Sequence, residues 1–235
     1  METVAPSAVI VAIDGPSGTG KSSTSKAVAA KLGLRYLDTG AQYRAITWWM
    51  ITNGVDTADA QAVAIAAAKP VIVSGTDPSA PTITVDGLDA SGPIRTQEVT
   101  SKVSAVSAVP EVRTLITELQ RSIAARAAEE AEGIVVEGRD IGTTVLPAAD
   151  LKIFLTASAE ARAARRSGEL RGKEASDLAA TKQALLQRDA ADSGRKTSPL
   201  AMAGDAVEVD TTELTLDQVI ECVVTLVEEK MAGRK

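Results

Sequence analysis

The chain has 235 residues, 45% of them apolar, and a net charge of −6. That length suits one well-buried domain, and that composition excludes a disordered protein. The acidic balance argues against a dedicated nucleic-acid binder, and the complete lack of histidine removes His-based general bases, Ser-His-Asp and Cys-His machinery and most zinc sites.

The opening METVAPSAVIVAIDG has no basic segment before its apolar run, so it does not read as a signal peptide. No apolar run approaches the roughly 20 residues that a bilayer crossing needs. A single cysteine, Cys222, rules out an internal disulfide and suits a cytoplasmic protein. AVIVAID (8–14) reads as a strand buried on both faces, and GPSGTGKSS (15–23) follows it at once. The latter matches GxxxxGK[ST] in full, in the strand–loop–helix setting that the motif requires. Gly15, Pro16, Ser17, Gly18, Thr19 and Gly20 let backbone N–H groups converge on phosphate oxygens. The positive end of the following helix sits beneath the same anion. Lys21 supplies charge toward the β- and γ-phosphates. The Ser22 hydroxyl, followed by Ser23, is placed to ligate the Mg²⁺ that accompanies ATP.

The pattern then predicts a helix over 21–33, a strand over 34–37 and helices over 40–52 and 56–69. Residues 37–44, LDTGAQYR, contain the tripeptide of an aspartic protease, but a protease needs a second copy and none is present. Residues 70–95 alternate Val and Ile with Gly, Pro, Asp and Ser, the pattern of a small antiparallel β insert. Helices are expected at 96–108 and 110–131, strands at 133–138 and 151–156, a charged helical region over 158–192, a last strand at 206–210 and a closing helix at 214–231. Strands alternating with helices predict a parallel sheet covered on both faces.

A phosphate loop can serve a GTPase, an ATPase or a kinase. The guanine-reading NKxD element is absent, because the lone asparagine, Asn53, has no lysine beside it. DASG (89–92) fits the GTPase pattern DxxG formally, but in the insert it reads as a turn. A kinase needs a second anion site and basic residues to neutralise the transferring charge. Arg44 follows the DTG segment, and Arg139 follows a buried strand, at the sheet edge where ligands bind. Between residues 160 and 196 the chain carries nine basic residues against six acidic ones. With glycines at 168 and 172, that stretch suggests a mobile lid over phosphates.

GPSGTGKSS, LDTGAQYR, SGPIRTQEV (91–99), EGRDIGT (137–143), KIFLTASAEARAARR (152–166) and QRDAADSGRKTSPL (187–200) resemble, in order and across nearly the whole chain, the bacterial cytidylate kinases, a family of P-loop nucleoside monophosphate kinases. The resemblance implies a single kinase domain over 1–235. Its expected fold is the P-loop NTPase three-layer α/β/α architecture with a parallel sheet, a β insert at about 70–95 and a helical lid at about 163–175. It implies transfer of the γ-phosphoryl group of ATP to CMP or dCMP. Ser17 would lie near both phosphates, and Thr39, Arg44, Ser104, Arg113, Asp192 and Arg195 would contact the acceptor. Arg139 and Arg188 would bridge the phosphoryl groups, Asp140 would support the acceptor site, and the lid arginines Arg162, Arg165 and Arg166 would close on ATP. A monomer is expected, with neither nucleic acid nor membrane as partner. The chain departs from the family pattern with Ser22-Ser23 for Gly-Thr, Thr39 for Ser and Glu137 for Asp. Another acceptor (AMP, UMP, dTMP or shikimate), a nucleotide-binding regulator without turnover and a nucleic-acid-acting ATPase are the alternatives.

Overall fold

The structure is a computed structural model that describes residues 8–130, 132–169 and 178–233. Five strands form a parallel sheet: β1 (Ile10–Asp14), β2 (Arg35–Asp38), β6 (Ile134–Glu137), β7 (Leu151–Thr156) and β8 (Val207–Asp210), in the order β2-β6-β1-β7-β8. β1 is central and pairs in register with β6 (Ile13 beside Glu137) and with β7 (Asp14 beside Phe154). Its side chains alternate between the two faces, and both faces are covered. Val11 and Ile13 join Val28 and Ala29 of α1 (Lys21–Leu32) and Val223, Val224 and Val227 of α8 (Leu216–Ala232) in one apolar cluster. On the other face Ala12 and Val136 meet Ala124 and Ala127 of α5 (Pro110–Glu129). Because the strands are parallel, Asp14, Asp38, Glu137, Thr156 and Asp210 all end at the same edge, where an open parallel sheet offers its ligand crevice.

A third cluster joins α2 (Thr39–Thr52), α3 (Ala60–Ala66), α4 (Gln97–Ser107) and α5 to the insert. The insert itself is a three-stranded antiparallel sheet, β3 (Ile72–Ser74), β4 (Ile83–Val85) and β5 (Leu88–Asp89), followed by a 3₁₀ turn at Pro93–Arg95. It docks on the β2 edge, where the Tyr36 N–H donates to the Thr76 carbonyl over 2.9 Å.

Three segments differ from the sequence expectation. The helix expected over 56–69 is only Ala60–Ala66, because its acidic start holds two competing caps. Asp56 closes a tight turn by accepting from the Ala58 N–H, and Asp59 caps the helix by accepting from Gln61 and Ala62. Pro70 ends the segment. Residues 141–145, IGTTV, form a π-helical turn, which β-branched composition conceals. The long helical region is described as α6 (Ala159–Glu169) and α7 (Leu178–Ser193). The lid expected at about 163–175 falls partly on 170–177, outside the described residues. Among the described residues no helix is long and apolar enough to cross a membrane.

Candidate active site

The loop between β1 and α1 runs tightly against the sheet. Gly15 has φ +144°, and a Cβ there would lie 2.2 Å from the Leu155 carbonyl oxygen, so only glycine fits. The Lys21 side chain is buried and donates from Nζ to the Pro16 carbonyl over 2.6 Å, folding back across the loop it serves. Ser22 Oγ donates to Glu137 Oε2 at 3.0 Å, and the buried Tyr36 hydroxyl donates to the other oxygen, Oε1. Burial, reinforced by Asp38, pushes the Glu137 carboxyl above its ordinary range. Burial and then Arg139 push the Lys21 ammonium below its own. Both shifts run in the direction of the neutral form.

The DTG tripeptide is a strand-to-helix junction. Asp38 ends β2 and caps α2, its carboxylate accepting from the Ala41 N–H at 2.9 Å. Thr39 Oγ1 donates to the Glu137 backbone carbonyl at 2.7 Å, tying the end of β6 to the start of α2. A Cβ at Gly138 would come within 2.6 Å of the Ile141 side chain and 2.8 Å of that threonine oxygen, so any larger residue would force these side chains to shift.

Two chambers open at this edge. Ser17, Lys21, Ser22, Arg44, Arg139 and Arg188 are among the residues lining the first. Thr39, Tyr43, Ser104, Arg113, Asp140, Asp192 and Arg195 line much of the second. Arg139 and Arg188 belong to both walls, together with Gly40 and Gly138. The two arginines expected to bridge donor and acceptor thus stand where the chambers meet.

In the second chamber the guanidinium of Arg113 donates to Asp140 Oδ2 and lies 5.2 Å from the centroid of the Tyr43 ring, in cation–π range. Both partners of that ion pair are buried, and burial raises the Asp140 carboxyl despite the arginine. Asp192 is buried and accepts from Arg139 Nε and from Arg195. Burial works to raise its pKa, but Arg139, Arg195 and Arg188 together hold it below the usual carboxylate range. Arg188 is itself pushed down to about 9, first by burial and then by Arg139 and Arg44. Among the described residues its Nε is buried without a hydrogen-bond partner, a donor left with spare capacity.

The expected acceptor residues Thr39, Ser104, Arg113, Arg139, Asp140, Arg188, Asp192 and Arg195 all meet in the second chamber. Arg44 and Ser17 line the first instead. Of the expected donor residues, Ser17, Gly18, Gly20, Lys21, Ser22, Ser23 and Arg166 line the first chamber. Thr19 braces the loop from within, its Oγ1 donating to the Pro16 carbonyl at 3.1 Å. Arg162 lies buried against the loop, donating to the Ser17 carbonyl at 3.0 Å and to Asp189. Arg165 donates to Thr211 and reaches the rim of a hollow on the far side of the loop, beside Leu214 and Thr215.

Sequence reasoning missed Asp189, Tyr36 and Asp14. Asp189 Oδ1 accepts from the Ser17 N–H at 3.3 Å, so α7 grips the phosphate loop as well as Arg162. Its place one residue after Arg188 was the only signal available. The Ser22 hydroxyl and the Glu137 carboxylate make an oxygen pair suited to a hard divalent cation. Among the described residues there is no cluster of three acidic, His or Cys ligands, so such a cation would complete its shell from phosphate and water.

The cytidylate kinase family model matches residues 11–229. The chain is 84% identical over 226 residues to a cytidylate kinase of Streptomyces griseus subsp. griseus, covering 96% of this chain and 95% of the relative. It is 81% identical to a cytidylate kinase of Streptomyces coelicolor, covering 97% and 96%. An uncharacterized protein from Eubacterium ventriosum shares the fold, with a TM-score of 0.51 at 12% identity over 94% of this chain and 98% of that one. The chain belongs to the cytidylate kinase family.

Proposed function

We propose that this member of the cytidylate kinase family transfers the γ-phosphoryl group of ATP to CMP or dCMP, giving ADP and CDP or dCDP. The observation that carries the reading is the shared wall. A phosphate-loop chamber, which Lys21 also lines, and a second polar chamber meet at Arg139 and Arg188.

Among the described residues the first chamber is lined by six cationic side chains, Lys21, Arg44, Arg95, Arg139, Arg166 and Arg188, against two carboxylates, Asp38 and Glu137. That surplus suits two polyanions brought end to end. ATP would lie with its phosphates over the loop amides. Its arrival supplies an anion to Lys21, which favours the charged ammonium again. A divalent metal, which we take to be Mg²⁺, would be held by Ser22 and Glu137 and would neutralise charge on the β- and γ-phosphates. The nucleoside of the acceptor would occupy the second chamber among Ser104, Arg113, Asp140 and Asp192, its phosphate reaching Arg44, Arg139 and Arg188. Arg139 leaves or shares Asp192 to meet that phosphate, and Asp192 is then free to accept from a ribose hydroxyl.

No general base is required. The second pKa of a phosphate monoester is about 6, so the acceptor is largely dianionic at neutral pH. Catalysis reduces to alignment and charge neutralisation, with α6 and α7 excluding water from the transferring group. One chain supplies every group named, so a monomer suffices.

A coupled assay of ADP release, run with CMP, dCMP, AMP, UMP, dTMP and shikimate, tests the assignment. Release should depend on the acceptor and be fastest with CMP or dCMP. Faster release with another acceptor, or equal release without one, would overturn it.

A further inference from the structure

The segment SGPIRTQEV lies at the end of the insert, and the reaction as described gives its arginine no contact. Pro93 starts a 3₁₀ turn that ends at Arg95, and Ile94 between them is 1% exposed, locked into the cluster beneath α2 and α4. Arg44 fixes the turn from the other side. One of its guanidinium nitrogens donates to the Ile94 carbonyl at 3.2 Å and to Thr100 Oγ1 at 2.9 Å. The backbone beneath Arg95 is therefore held rigidly, and it is held by the arginine expected at the acceptor phosphate.

The Arg95 side chain is exposed, yet it lines the first chamber beside Lys21, Arg44, Arg139 and Arg188. Among the described residues its guanidinium has no hydrogen-bond or ion-pair partner. Its charge nonetheless reaches its neighbours. Arg44 is pushed down to about 10 by burial first, then by Arg166, with Arg95 adding to the effect. Solvent is its present partner, so an anion entering the chamber meets this guanidinium without breaking any contact within the protein. Nothing in the fold needs that cation there, since the packing is done by Pro93 and Ile94.

We propose that Arg95 is a further phosphate-binding residue, which the insert holds at the rim of the first chamber to receive the phosphate of the acceptor nucleotide. This deepens the kinase reading and rests on it. The acceptor, not the donor, is assigned because the turn packs on α2 and α4. Those helices carry Thr39, Tyr43, Arg44 and Ser104, whereas the far side of the phosphate loop, near Arg165 and Leu214, is walled by other elements. The insert thereby acquires a chemical role: it adds one guanidinium to the acceptor side, and through the Ile94 carbonyl it shares Arg44 with the bound phosphate.

The test compares wild type with Arg95→Ala and Arg95→Lys. Because the side chain is exposed and unpartnered, the melting temperature without ligand should stay within about 1 °C. Calorimetric titration should show CMP binding weakened about tenfold or more in Arg95→Ala, as expected for loss of one charge-assisted phosphate contact, with partial rescue by lysine. Cytidine, which lacks the phosphate, should stabilise both proteins equally, and the ATP KM should stay within about twofold. CMP affinity within twofold of wild type, an equal loss for cytidine, or a loss confined to ATP would each overturn the inference. CMP binding is measured without ATP, so it tests Arg95 even if turnover fails. Turnover by wild type tests the kinase reading separately.

Discussion

Asp14 closes β1 and is buried, and its two carboxylate oxygens accept from the Ile141 N–H at 2.9 Å and the Gly142 N–H at 2.7 Å. Through them the last residue before the phosphate loop fixes the turn that presents Arg139 and Asp140. Burial pushes its carboxyl up to about 6, while the two N–H groups work against that rise. Such an acid stabilises the folded state while protonated, and that stabilisation fades as pH rises from about 4 to about 6. An Asp14→Asn variant keeps one acceptor but sets an N–H against a backbone N–H, at a cost of about 1–3 kcal/mol. Urea denaturation of both proteins across this range should show the wild-type advantage falling with pH, by at most about 3 kcal/mol; a difference independent of pH would contradict the picture. The charged groups give a kinetic prediction. Lys21→Ala and Arg188→Ala should each lower kcat on the order of a hundredfold, by loss of one transition-state charge partner. Near wild-type turnover in either would remove that residue from the mechanism.

Helix α7 is the element on which the site turns. Arg188, on both chamber walls, and Asp192, in the second chamber, share it with Asp189, which accepts from the phosphate-loop N–H of Ser17. One element thus spans both chambers. Asp189→Ala should lower kcat about tenfold or more and change the ATP and CMP constants together, and combining it with Arg162→Ala should add little, because the two side chains form one unit. Additive losses would show that they act separately. The phosphate loop was legible in the sequence because its spacing is dictated by phosphate geometry. The insert was legible because Gly, Pro and Asp punctuate its strands. That the residues of the second chamber would come together was legible only through family resemblance: Ser104 and Arg113 lie on α4 and α5 with nothing local to distinguish them, and only packing brings them to Asp140 and Tyr43. Asp14, Asp189 and Tyr36 stayed hidden for the same reason, since each acts on a partner more than 100 residues away.

Across the whole molecule, a chain of net charge −6 concentrates its arginines at one edge of a parallel sheet. With no histidine in the chain a phosphohistidine route is excluded, and among the described residues the carboxylates of Asp14, Glu137 and Asp140 at this edge are each engaged in hydrogen bonds. The account therefore requires direct transfer between two bound nucleotides. The most direct test is the stereochemical course at phosphorus, followed with ATP carrying a chiral, isotopically labelled γ-thiophosphoryl group and CMP as acceptor. A single in-line transfer across Arg139 and Arg188 predicts inversion of configuration in the CDP product; retention would mean two successive displacements and would contradict the account.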